Sequence, residues 1–98
     1  MASTETVKKI KTDLRISHSV LDGDLADTID ACLADLKACG VVNAQETDAL
    51  ILNALKLWCR SNYTDDTNKA AAYFERYNSL KASLMMTAGY GGGAANEN

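Results

Sequence analysis

Residues 47–63, TDALILNALKLWCRSNY, contain a dense run of apolar side chains that restricts the folds open to this chain. On a helix these side chains cover more than the roughly 100° stripe of an ordinary surface helix, so other helices must pack on at least two of its faces. The apolar positions are Ala49, Leu50, Leu52, Leu55, Leu57, Trp58 and Cys59. We therefore predict a central helix here, with a core around Leu52, Leu55 and Trp58.

The composition favours helices throughout. Proline is absent from all 98 residues, where average usage is about 5%, so no helix is broken from within. A chain with 47% hydrophobic and 23% charged residues is typical of one small globular domain. No apolar run approaches the ~18 residues that suggest a membrane span, and a secretory signal is not supported. The predicted fold class is all-α, a small bundle of about four helices around the central apolar helix.

Local patterns give the expected ends of the last two helices. Asn43 and, three residues later, Glu46 have the form of a capping box that opens the central helix. The segment SNYTDDTN ends it, and Asp65, Asp66 or Thr67 can cap a fourth helix with an aromatic inner face. The glycine-rich end cannot repay the entropy cost of folding. We predict a helical domain over residues 1–87 and a flexible tail over residues 88–98.

No set of residues predicts catalysis or a metal or cofactor site. His18 is the only histidine, so a zinc site or a Ser-His-Asp relay would lack its usual partners. Cys32 and Cys39 lie on one predicted helix, separated by roughly 10 Å of rise, which exceeds the reach of a disulfide. We expect all three thiols to be reduced and dispensable. The prediction is therefore a protein that is not an enzyme and has no cofactor.

Charge is distributed unevenly along the chain. The net charge of -3 argues against a general nucleic-acid binder, which needs a basic footprint. A basic cluster near the start is followed by an acidic helix. The basic residues are Lys8, Lys9, Lys11 and Arg15, and the acidic ones are Asp22, Asp24, Asp27, Asp30 and Asp35.

The order of these parts resembles that of the small phage head-tail connector proteins, also called head-completion or DNA-packaging adaptor proteins. Residues 14–16, Leu-Arg-Ile, match the ending of that family's opening helix, and residues 22–24, Asp-Gly-Asp, match its acidic turn. Trp58 and the Asn-Tyr pair at 62–63 match the end of its third helix. The resemblance extends from residue 4 to about residue 90.

The resemblance implies a structural virion protein, found at the head-tail junction of a bacteriophage and in the host cytoplasm during assembly. Such proteins form a homo-oligomeric ring under the portal protein, extend the DNA channel and contact tail or stopper proteins. DNA then passes through without sequence-specific binding, and no membrane is involved.

A closed ring needs a contact between two unlike surfaces of the same chain. The basic first helix and the acidic second helix meet that requirement. We therefore hypothesise an interface in which a basic set on one subunit faces an acidic set on the next. The basic set is Lys8, Lys9, Lys11 and Arg15, and the acidic set is Asp24, Asp27, Asp30 and Asp35.

Other classes of protein remain open at this point. A small helical protein-interaction domain would have the same composition. The DNA-recognition module of a packaging terminase would also be helical, but it predicts a basic recognition helix, whereas helices two and three are acidic and apolar. A small enzyme would need convergent polar groups, and no carboxylate pair is placed for acid-base work.

Overall fold

All regular secondary structure in the part of the chain described here is helical. The computed structural model describes residues 2–87 and 89–90. Its helices are α1 (Thr4–Leu14), α2 (Asp22–Ala38), α3 (Ala49–Tyr63) and α4 (Thr67–Met86). The predicted all-α class is confirmed. The Cα atoms extend over 47 × 30 × 18 Å, so the molecule is elongated and flat.

Aspartates cap the last two helices. The Asp66 carboxylate accepts a hydrogen bond from the Lys69 N–H (2.9 Å), so of the three caps offered for α4 the second is the one used. The predicted capping box of α3 is wrong, because Asp48 is the N-cap and accepts from the Leu50 N–H (2.8 Å). The Glu46 carboxylate instead accepts from the Ser3 N–H (2.9 Å), which joins the start of α1 to the loop before α3.

Helix α3 contacts each of the other three helices. Its fully buried side chains include Ile51, Leu55 and Cys59, which meet the apolar stripe of α2 in one core. That stripe consists of Leu25, Ile29, Cys32 and Leu36. The predicted core position Leu55 is confirmed. Leu52 and Trp58 are only partly buried, and Ala49 and Leu50 are exposed, so the core lies nearer Ile51 and Leu55 than predicted.

Helix α4 lies antiparallel to α3 and buries only Tyr77 and Leu84. The Tyr77 ring meets Trp58 edge-on, with ring centroids 5.0 Å apart, and the Tyr77 hydroxyl donates to the Asp35 carboxylate of α2 (2.6 Å). Lys81 donates to the same carboxylate oxygen (2.9 Å). Helix α4 is therefore attached to α3 by aromatic packing and to α2 by a shared carboxylate.

A helix that crosses a membrane must be both long and apolar. Within residues 2–87 and 89–90, no helix combines the length and the apolar character needed to cross a membrane.

Candidate functional site

A groove opens where α1 and α3 end and α4 begins. It has a volume of about 250 Å³, and its walls carry three cationic side chains, one carboxylate and two tyrosines. We call it the basic groove. The residues are Arg15, Arg60, Lys69, Asp13, Tyr63 and Tyr73.

One cation of the basic groove is held by a fork-shaped ion pair. The Arg60 Nε donates to Asp13 Oδ2 (2.8 Å), and Arg60 Nη2 donates to Asp13 Oδ1 (2.6 Å). The guanidinium carbon also lies 5.7 Å from the centre of the Tyr73 ring, a cation-π distance. The hydrogen bonds that Arg60 donates to Asp13 raise the pKa of Arg60 above its ordinary value. The side chain of Arg60 is therefore held in place and its charge is neutralised by Asp13. Its contacts join α1, α3 and α4.

The other two cations have no ion-pair partner among the described residues. Arg15 follows α1 as its C-cap with φ of 61° and ψ of 39°, a left-handed conformation in which glycine is the usual residue. This conformation ends the helix and still provides a cationic side chain at the rim. Lys69 lies in the first turn of α4 and is exposed. With Arg60 neutralised by Asp13, these two side chains give the groove a net positive charge.

A second surface, which carries the exposed carboxylate of Asp27, lies on α2. Because the stripe of Leu25, Ile29, Cys32 and Leu36 is buried against the core, the opposite side of this helix points to solvent. Asp27 is exposed on that side, next to the exposed small residues Ala31 and Ala34. We call this surface the outward face of α2.

The eight predicted interface residues divide into two groups. Some form bonds within the chain: Lys11 pairs with Asp22 (2.9 Å), and Asp24 accepts a hydrogen bond from the Tyr63 hydroxyl. Asp35 accepts from Tyr77 and Lys81 as described above, and Asp30 is partly buried. The exposed remainder is Lys8, Lys9, Arg15 and Asp27. Of the eight, the structure thus brings only Arg15 to the basic groove and only Asp27 to the outward face of α2.

Three groove residues were missed by sequence reasoning: Arg60, Lys69 and Tyr73. Asp13 and Arg60 are 47 positions apart, so no local spacing relates them. A possible sequence signal is the interruption of the apolar run of α3 by Arg60, since a charge at the end of a buried helix usually has a partner.

The opposite end of the molecule is apolar. Val42, Leu50, Met85 and Met86 are exposed there, and Leu50 faces the end of α4 because α3 and α4 are antiparallel. Next to them, the Val42 N–H donates to the Tyr90 carbonyl (3.2 Å) and the Tyr90 hydroxyl donates to Asp48 (2.5 Å). Within the predicted tail over residues 88–98, Gly89 and Tyr90 contact the domain. Residue 88 and residues 91–98 lie outside the described residues.

The structure also shows where the three thiols and the possible metal ligands lie. Burial raises the pKa of Cys32 and that of Cys59 to about 12, and Cys39 is partly exposed. In the part of the chain that the structure covers, no group of three or more His, Cys, Asp or Glu side chains could hold a metal ion.

Comparison with known proteins returned no matching protein family, curated protein or solved structure. The function is accordingly argued from the residues, from the placement of charge on the fold and from the resemblance described above.

Proposed function

We propose that this chain is a structural virion protein of the phage head-tail connector type. In this proposal it forms a homo-oligomeric ring under the portal protein, extends the DNA channel and joins the head to tail or stopper proteins. It acts at the head-tail junction of the virion and is present in the host cytoplasm during assembly.

The observation that carries the proposal is a groove that holds two cations unpaired among the described residues, together with an exposed carboxylate, Asp27, on another helix of the same small chain. The basic groove opens between α1 and α4, whereas the outward face of α2 points away from α3. A ring subunit needs two unlike surfaces that fit each other on successive copies. The motif order from residue 4 to about residue 90 supports the same reading.

The remaining features fit the proposal as parts of an assembly. The other three helices all contact α3, and in this proposal the glycine-rich sequence after Tyr90 contacts the portal, the tail or a neighbouring subunit. The net charge of -3 suits a channel wall that lets DNA pass without binding it.

A second candidate is a small helical protein-interaction domain that works as a monomer. The observation that favours it is the apolar end of the molecule, where Val42 and Met86 are 67% and 82% exposed. An exposed apolar cluster of this kind marks a protein-binding surface.

The mass of the full chain in solution separates the two candidates. We expect light scattering coupled to size exclusion to show one discrete oligomer at high protein concentration and low salt, and negative-stain images to show closed rings. A monomer that persists at the highest attainable concentration overturns the connector proposal and leaves the interaction domain.

A further inference from the structure

We infer that the basic groove is the site that receives the outward face of α2 from a second copy of this chain. Asp27 of one copy lies between Arg15 and Lys69 of the next. This inference rests on the proposed function, because it names the contact through which successive ring subunits meet.

The charges of the groove select a carboxylate. Arg60 is already neutralised by its two hydrogen bonds to Asp13, whereas Arg15 and Lys69 have no ion-pair partner among the described residues. Two unpaired cations that line a concave site attract one negative group more strongly than the same cations on a convex surface, because the low-dielectric walls focus the field. Asp27 is exposed on α2 and supplies that negative group.

The shapes of the two surfaces also agree. Next to Asp27, the outward face of α2 carries Ala31 and Ala34, whose small side chains let the helix backbone approach a neighbour closely. The groove is open, and the Tyr73 ring, fixed by the Arg60 guanidinium, forms one of its walls. Methyl groups against a tyrosine ring give apolar contact beside the carboxylate.

The two surfaces are formed by different helices. The buried stripe of α2 faces the core, so Asp27 points away from α3, whereas the groove is bounded by α1 and α4 at Arg60. One subunit can therefore offer its groove to one neighbour and its α2 face to another. Such a heterologous contact is the kind that builds rings.

Lys8 and Lys9 are weaker candidates for the receiving surface. Both are exposed on the outer side of α1 and neither lines the groove. An exposed pair on a convex helix face contributes only ~0 to 1 kcal/mol. These two lysines therefore provide a matched control, since their reversal changes the charge by the same amount outside the groove.

Charge reversal in the full-length chain tests the contact. The groove variant is Arg15→Glu with Lys69→Glu, the face variant is Asp27→Lys, and the control is Lys8→Glu with Lys9→Glu. All five sites are exposed, and retention of the helical circular dichroism spectrum confirms folding. We expect the groove and face variants each to raise the protein concentration needed for half-assembly by roughly tenfold or more at low salt, and the control to change it less than about threefold.

Two further samples make the test specific. The triple variant that combines the groove and face changes should recover assembly, because its groove is acidic and its α2 face basic. Each variant alone should assemble poorly, but a mixture of the separate groove and face variants should assemble with the two chains in alternation. The reason is that the acidic groove of one meets the basic face of the other, and the basic groove of the second meets the acidic face of the first.

The outcomes separate this inference from the proposed function. A parent chain that assembles while the groove variant assembles equally well overturns the inference and leaves the ring in place. Equal losses in the control and the groove variant also overturn it, because the effect is then one of net charge. A parent chain that remains monomeric overturns the ring and this contact together.

Discussion

Helices α3 and α4 pack against each other along their length, yet they are held in the domain by different forces. Of the 15 residues in α3, five are buried, whereas α4 buries two of its 20. Helix α3 is covered by all three other helices and owes its position to apolar burial. Helix α4 has one covered side, and its attachment depends on the Tyr77 ring, its hydroxyl and the carboxylate of Asp35.

This difference indicates that α3 mainly stabilises the domain, whereas α4 leaves most of its surface open to partners. A change in the buried part of α3 disturbs contacts with every other helix, so it is expected to unfold the domain. Most side chains of α4 are exposed, so they can change or bind a partner at little cost in stability. The basic groove lies where the buried helix α3 and the exposed helix α4 meet. Arg60 comes from α3, and Lys69 and Tyr73 come from α4.

The largest expected effect is in the core of α3. Leu55→Ala removes a fully buried side chain and should lower the free energy of unfolding by about 2 to 5 kcal/mol in a denaturant titration. Leu50→Ala is the matched control, because it is the same substitution on the same helix at a position that is 46% exposed. It should cost less than ~0.5 kcal/mol. Similar losses at the two positions would show that α3 is not covered as described.

The next effect lies at the attachment of α4. Tyr77→Phe keeps the buried ring and removes the hydroxyl that donates to Asp35, so the free energy of unfolding should fall by about 1 to 2 kcal/mol. Tyr73→Phe, on the same side of α4 but only partly buried, should change it by less than ~0.5 kcal/mol. If the two variants unfold at the same denaturant concentration, the bond to Asp35 does not hold α4.

The ends of the helices could be predicted from the sequence where the contact that determines them is local. Asp66 caps the helix that begins one residue later, and the interaction spans only three positions. The capping box at Asn43 and Glu46 failed because Ser3, 43 residues earlier in the chain, takes the Glu46 carboxylate. Similarly, apolar spacing cannot decide that Trp58 is only partly buried, because that depends on how far α4 covers α3.

The candidate site was less predictable for the same reason. Lys11, Asp24 and Asp35 have the composition of a surface interface, but each has a partner on another helix of its own chain. These partners are set by tertiary packing and leave no spacing in the sequence. Arg15 was identified as basic, yet its left-handed conformation at the end of α1 was not, since glycine is the residue that normally indicates one.

A smaller effect is expected in the pH dependence of stability. The hydrogen bond from Tyr77, followed by that from Lys81, lowers the pKa of Asp35 below its ordinary value. A carboxyl whose folded pKa is lowered stabilises the fold above the unfolded pKa of about 3.9 and loses this contribution as the pH falls through the folded pKa. Asp35→Asn should therefore destabilise the protein at neutral pH and reduce the difference in unfolding midpoint between pH ~7 and pH ~2.5. Asp27→Asn is the control, and an unchanged difference in the Asp35 variant would contradict the assignment.

The smallest effect is a difference in thiol accessibility between the two regions. Cys39 is partly exposed and should be alkylated first in the native protein, because burial raises the pKa of Cys32 and of Cys59 to about 12 and keeps both protonated near pH ~8. Cys32 contacts the Tyr77 hydroxyl of α4, whereas Cys59 lies on α3. If α4 opens locally before the whole domain unfolds, Cys32 becomes reactive before Cys59. Tyr77→Phe should then accelerate labelling of Cys32 more than that of Cys59, as measured by mass spectrometry of peptides after timed alkylation. Equal acceleration of both thiols would mean that α3 and α4 open as one unit, and the difference between the two helices would then lie in their surfaces alone.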